Sequence, residues 1–169
     1  MKDIKYTRNI VLIGMPSAGK STIGVILAKT LGMRFIDTDL VIQENEGQLL
    51  QDIISTYGIS GFLEIEEDSV LSLKYKTTVI ATGGSVVYSK KAMMHLKQDG
   101  IVVYLKLGYE EIVKRIENIL TRGVIMDKGQ SLLDMYNQRI PLYERYSDII
   151  IDCSNKNIED IIHSIIKQV

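Results

Sequence analysis

The stretch Gly14-Met15-Pro16-Ser17-Ala18-Gly19-Lys20-Ser21 constrains this chain more than any other part of it. It satisfies G-x-x-x-x-G-K-[S/T] without a mismatch, and each fixed residue has a physical task. Gly14 and Gly19 allow a sharp turn that brings successive backbone N–H groups toward one point. Lys20 adds a mobile positive charge there, and the Ser21 hydroxyl suits Mg2+. A helix beginning here directs its positive end at the same place. Together these parts make a receptor for nucleotide phosphates, with Pro16, Ser17, Ala18 and Thr22 completing it. An accidental match in a chain of this length has a probability of roughly 1%. Context lowers that further: the motif follows an apolar run at residues 10–13 and opens an amphipathic segment at 21–31.

Further apolar runs at residues 35–36, 79–81, 101–105 and 149–151 do not alternate with polar residues. That suits strands buried on both faces of a parallel sheet. Helical spacing fills the intervals. Ile23, Ile26, Leu27 and Leu31 share one stripe; so do Tyr109, Ile112, Val113 and Ile116, and finally Ile158, Ile161, Ile162, Ile165 and Ile166. Strand–helix alternation calls for right-handed crossovers with helices on both faces of the sheet. The expectation is an α/β, three-layer architecture with about five parallel strands, forming one domain over residues 1–169. Residues 121–130 interrupt two helical patterns and hold two glycines, which reads as a mobile loop.

Composition excludes several classes. The chain has 169 residues, 46% hydrophobic and 24% charged, which is ordinary for a globular protein with one core. A net charge of -1 gives no general attraction to nucleic acid or anionic membrane, so neither is expected as a partner. No apolar stretch approaches the roughly 18 residues that a membrane span needs. Cys153 is the lone cysteine and cannot form an internal disulfide, so a reducing, cytoplasmic setting is expected. A monomer is expected as well. His95 and His163 lie in helical segments away from the motifs and read as structural.

Asp37 and Asp39 stand just past a buried strand end, at the carboxyl edge where α/β sheets bind ligands. In an extended segment, side chains at i and i+2 point the same way, and like charges so placed need a cation or hydroxyl between them. The alternative is a solvated turn in which Asp39 caps the next helix. No aspartate follows the run at 79–81, so Asp37 is the better candidate for a magnesium carboxylate.

Taken in order, Phe35-Ile36-Asp37-Thr38-Asp39, Ala81-Thr82-Gly83-Gly84, Arg122 and Arg139-Ile140-Pro141-Leu142-Tyr143 give the chain its resemblance to the shikimate kinases. These are relatives of the nucleoside monophosphate kinases, and the resemblance covers essentially the whole chain. It implies a P-loop kinase fold with a mobile lid over about 119–130, ATP and Mg2+ as cofactors, and a small-molecule hydroxyl acceptor. The implied reaction converts ATP and shikimate to ADP and shikimate 3-phosphate. By the same resemblance Asp37 holds magnesium alongside Ser21, and Lys20, Asp39 and Arg122 form the catalytic set. Asp39 accepts a hydrogen bond from the acceptor hydroxyl, Arg122 swings in with the lid, and Arg115 stacks on adenine. Phe62, Leu63, Gly83, Gly84, Ser85 and Arg139 form the acceptor wall with Asp39, and Arg139 takes the carboxylate. Glu66 faces the same side. Each assignment has a plainer alternative: a core position for Phe62, surface charge for Arg122, an exposed helix face for Arg115, and a solvated pair with Glu144 or Asp134 for Arg139.

The acceptor half also departs from the family pattern. Leu63 stands where these enzymes carry an arginine that forms half of a carboxylate clamp, and Ser85 replaces the third glycine of a triplet. Losing one charge-assisted contact costs on the order of 2–3 kcal/mol, about a hundredfold in binding. Gly123-Val124-Ile125 after Arg122 is also atypical of the lid. A kinase of this fold acting on another hydroxylated small molecule is therefore the second reading. A nucleotide-binding regulator is the third, against which the second carboxylate speaks. If Asp39 serves the hydroxyl rather than the nucleotide, Asp39→Asn will leave ATP affinity unchanged and cut turnover at least ~100-fold; a fully active variant removes that role.

Overall fold

The computed structural model describes residues 6–116, 126 and 129–169. Strands β1 (Asn9–Ile13), β2 (Arg34–Asp37), β3 (Thr78–Ala81), β4 (Gly100–Lys106) and β5 (Ile149–Asp152) form one parallel sheet in the order β2-β3-β1-β4-β5. The helices are α1 (Lys20–Leu31), α2 (Thr38–Glu46), α3 (Leu50–Ser72), α4 (Lys90–Gln98), α5 (Tyr109–Ile116), α6 (Leu132–Tyr146) and α7 (Ile158–Ile166).

Strand order explains the three layers. From β1 the chain steps outward to β2, whereas β2 to β3, β3 to β4 and β4 to β5 all run the other way. Right-handed crossovers in opposite directions put their helices on opposite faces. Accordingly α1 packs with α7 against one face, while α3, α4 and α6 gather on the other. The apolar runs behave as expected in the middle of the sheet: every residue of β1 and β3 is buried. At the edges they do not. Ile150 in β5 is exposed, and β2 is only partly covered, because an edge strand lacks a neighbour on one side. Ile26 is likewise exposed; the buried stripe of α1 is Ile23, Gly24, Leu27 and Ala28.

Two details set the site. The Asn9 side chain accepts from Thr78 N–H at 3.0 Å and donates to the Tyr75 carbonyl at 2.7 Å, fixing the register of β1 and β3 where they enter the sheet. At the other end of the pair, Thr82 donates twice to the Leu12 carbonyl, from its N–H at 3.2 Å and its hydroxyl at 2.9 Å. The loops after β1 and β3 therefore leave the sheet side by side. Their strands flank the point where the chain reverses its direction across the sheet, the usual ligand crevice of such folds.

α2 was not visible in the apolar pattern. Asp37 caps it, accepting from Asp39 N–H at 3.0 Å, so the N-cap is Asp37 and Asp39 lies in the first turn. The two carboxylates thus do not share an extended segment. α3 breaks at Gly58, whose φ of 70° and ψ of -179° are not helical, and its second half carries Phe62, Leu63 and Glu66. The Arg139 motif lies inside α6. That helix begins at Ser131, whose hydroxyl accepts from Asp134 N–H while Asp134 returns the contact.

Candidate active site

The loop after β1 closes around its own lysine. Gly19 holds φ 90° at the start of α1, and Ser17 also takes a left-handed backbone at φ 66°. Lys20 Nζ donates to the carbonyls of Gly14 and Met15, both at 2.8 Å. Burial lowers the ammonium pKa to about 8, with Asp39 partly countering it. The lysine therefore stays cationic at neutral pH. Ala18 spends its N–H on Met15 within the loop at 3.1 Å, leaving the first-turn amides of α1 to face outward. Pro16, Ser17, Gly19, Lys20, Ser21 and Thr22 line a cleft of about 600 Å3, and Gly14 and Ala18 lie beneath them.

Asp37 and Ser21 meet across that cleft: the hydroxyl donates to Oδ2 at 2.5 Å, while Oδ1 caps α2. One carboxylate thus ties α1 to α2 and stands beside a hydroxyl at the start of α1. Among the described residues no three acidic, histidine or cysteine side chains converge into a metal cage. A hydroxyl plus one carboxylate suits Mg2+, which keeps waters and takes its other ligands from phosphates.

Asp39 lines the same cleft farther in. Burial, then the neighbouring Asp37 charge, raise its pKa to about 6, with Lys20 opposing them. At neutral pH it is ionised yet basic enough to accept a proton. Opposite it, Gly83 and Gly84 bring bare backbone to the wall. A methyl group on Gly83 would meet Asp39 Oδ1 at 2.8 Å, and one on Gly84 would meet Arg139 Nη1 at 2.9 Å. Gly83 N–H donates to Thr38 Oγ1 at 3.2 Å, joining this loop to α2.

Arg139 is 1% exposed, so the solvated alternative is excluded: Asp134 pairs with Ser131, and Glu144 with Lys106. Its guanidinium lines the cleft between Gly84 and Tyr88. Phe62 serves both readings, lining the cleft and packing with Ile42 and Ile53. Leu63 packs against that cluster and does not line the cleft. Ser85 lines it and donates to Glu66 Oε2 at 2.8 Å. Arg115 reaches the phosphate loop, donating to the Ser17 carbonyl at 3.4 Å with Glu111 beside it. Arg122 and most of the 119–130 segment lie outside the described residues. Cys153 is buried, and burial pushes its thiol up to about 11.

Sequence reasoning missed Thr38, Tyr88 and the structural weight of Glu66. Glu66 is 2% exposed, and its Oε1 has no hydrogen-bond partner among the described residues. Burial raises its pKa to about 7, while the Ser85 hydroxyl opposes that rise and the Asp39 charge adds to it. The clue in the sequence was a single acid, Glu66, at helical spacing between Phe62 and Val70.

A shikimate kinase family model matches residues 16–169. A shikimate kinase of Thermodesulfovibrio yellowstonii is 35% identical over 95% of this chain and 94% of its own length. One from Clostridium botulinum strain Okra is 39% identical over 94% of both. Among solved structures, Acinetobacter baumannii shikimate kinase in complex with shikimate superposes with a TM-score of 0.86 at 32% identity, covering 95% of this chain and 91% of that one.

The buried Glu66 carboxyl generates a stability test. Its folded pKa lies above its ordinary 4.5, so the folded state holds the extra proton between about 4.5 and 7. Stability from this group is complete below that window and is lost as pH rises through it, by on the order of 3 kcal/mol. Urea unfolding from pH 4.5 to 8 will show Glu66→Gln losing less stability than the parent over that range. Parallel curves would show that the carboxyl is not held neutral.

With a phosphate loop, a carboxylate and a buried guanidinium facing one cleft, and relatives matched along nearly their full length, this chain belongs to the shikimate kinase family.

Proposed function

We propose that this chain transfers the terminal phosphoryl group of ATP to the 3-hydroxyl of shikimate. The observation that carries this reading is the continuity of the cleft. It runs from Pro16–Thr22 of the loop and α1, past Asp37 and Asp39, to Gly83, Gly84, Ser85 and Arg139. A donor phosphate and an acceptor hydroxyl can lie in one space, and positioning of that kind supplies much of the rate in phosphoryl transfer.

The residues divide the work by position. The first-turn amides of α1 and the Lys20 ammonium take the outer phosphates, the lysine exchanging loop carbonyls for phosphate oxygens. Ser21 and Asp37 would hold Mg2+, which would supply positive charge to offset that of the transferring group. Asp39 accepts the hydrogen bond of the acceptor hydroxyl and takes its proton as the new P–O bond forms; a carboxylate near pH 6 is suited to that exchange. Arg139 binds the acceptor carboxylate, and Gly83 and Gly84 admit the ring close to the wall. Arg115 contacts the nucleotide base, and Arg122 supplies a further positive charge to the transferring group.

Leu63 bears on how tightly the acceptor is held. It gives no cation to the cleft, so among the described residues Arg139 is the arginine that lines it. The relative solved with shikimate supports the acceptor assignment at 32% identity.

A coupled assay of ADP release over shikimate, quinate, gluconate and simple polyols tests the assignment. Shikimate should support turnover at least ~10-fold above the simple polyols, which lack the carboxylate that the cation-lined end rewards. Silence with shikimate and turnover with another acceptor would replace it.

A further inference from the structure

We infer that Tyr88 is the positioning residue for the Arg139 guanidinium and thereby sets affinity for the acceptor carboxylate; this rests on the function proposed above. Tyr88 ends the short 3-10 turn Val86–Tyr88, which directly follows the Gly83-Gly84-Ser85 wall. Its phenolic oxygen accepts from Arg139 Nε at 3.1 Å, and its proton goes to Gln138 Oε1 at 2.9 Å. Gln130 Nε2 donates to that same Gln138 oxygen at 3.0 Å. The Arg139 guanidinium carbon also lies 5.2 Å from the Tyr88 ring centroid. Tyr88 thus meets Arg139 with both its ring and its hydroxyl, and Tyr88 is itself tied to α6.

The other end of the loop is pinned from the same helix. Tyr143, one turn after Arg139, donates its hydroxyl to the Gly84 carbonyl at 2.7 Å. Arg139 and Tyr143 therefore grip residues 84 and 88 together, and the acceptor wall cannot shift without moving the guanidinium. A planar guanidinium grips a carboxylate well only in a narrow range of orientations. Nε is the one nitrogen inside the side chain, so fixing it fixes the plane of the group. Because Leu63 packs away from the cleft, no second arginine among the described residues there compensates for a misaligned first one. The tyrosine hydroxyl is then a determinant of specificity, though it does not itself line the cleft.

The test is steady-state kinetics of Tyr88→Phe and Tyr88→Leu with shikimate and with its neutral carboxamide analogue. Tyr88→Phe keeps the ring and removes the hydroxyl: KM for shikimate should rise ~10-fold, and Tyr88→Leu should raise it further. KM for ATP and kcat should stay within about twofold of the parent. With the carboxamide, parent and Tyr88→Phe should not differ. A shikimate KM that is unchanged in both variants, or an equal rise for ATP and for the carboxamide, overturns the assignment. Failure of the parent itself to phosphorylate shikimate would instead remove the proposed function, and this inference with it.

Discussion

A buried ammonium holds this active site together. Lys20 sits inside the loop that precedes it, bonded to two carbonyls of that loop. A lysine so enclosed gives up water, and burial shifts its pKa down to about 8. What keeps it charged is its setting: two carbonyl oxygens at 2.8 Å and the carboxylate of Asp39 nearby. The same arrangement shapes the loop into a pocket before any nucleotide arrives. Phosphate oxygens can then take the place of carbonyl oxygens without the loop having to reorganise, which is the preorganisation that phosphoryl transfer depends on.

From that centre, a few polar contacts carry order across the cleft. Asp37 links α1 to the start of α2, and Thr38 links α2 to the glycine wall. Tyr143 and Arg139 link that wall to α6. The elements around the cleft are thus joined in a circuit, α1 to α2 and α2 to the wall by one hydrogen bond each and the wall to α6 by three. Buried charge accumulates where the circuit meets: Lys20 and Arg139 face Asp39 and Glu66. Burial raises the pKa values of both acids, to about 6 for Asp39 and about 7 for Glu66, against the opposing pull of the cations.

Much of this was legible from the residues. The phosphate loop is local, its spacing dictated by backbone geometry, and the strand positions followed from buried apolar runs. Edge strands were less readable, because Ile150 looks like a core residue until it has no neighbour on one side. α2 was hidden because its first turn is polar and its buried face is narrow, Thr38 and Ile42. The partners of Arg139 were out of reach for a different reason. Tyr88 lies 51 positions away, and only the packing of α6 against the loop after β3 brings them together. Leu63 shows the opposite limit. Its identity flagged a departure from the family, but its packing against the Ile42, Ile53 and Phe62 cluster becomes visible only once α3 is packed on α2.

Calorimetric titration of purified protein with Mg-ATP tests most directly whether the Lys20 loop is a phosphate receptor. Saturable heat at one site is expected, with Lys20→Ala weakening binding at least ~10-fold through loss of a charge-assisted contact. Absence of heat from the parent, or an unchanged affinity in Lys20→Ala, would contradict it.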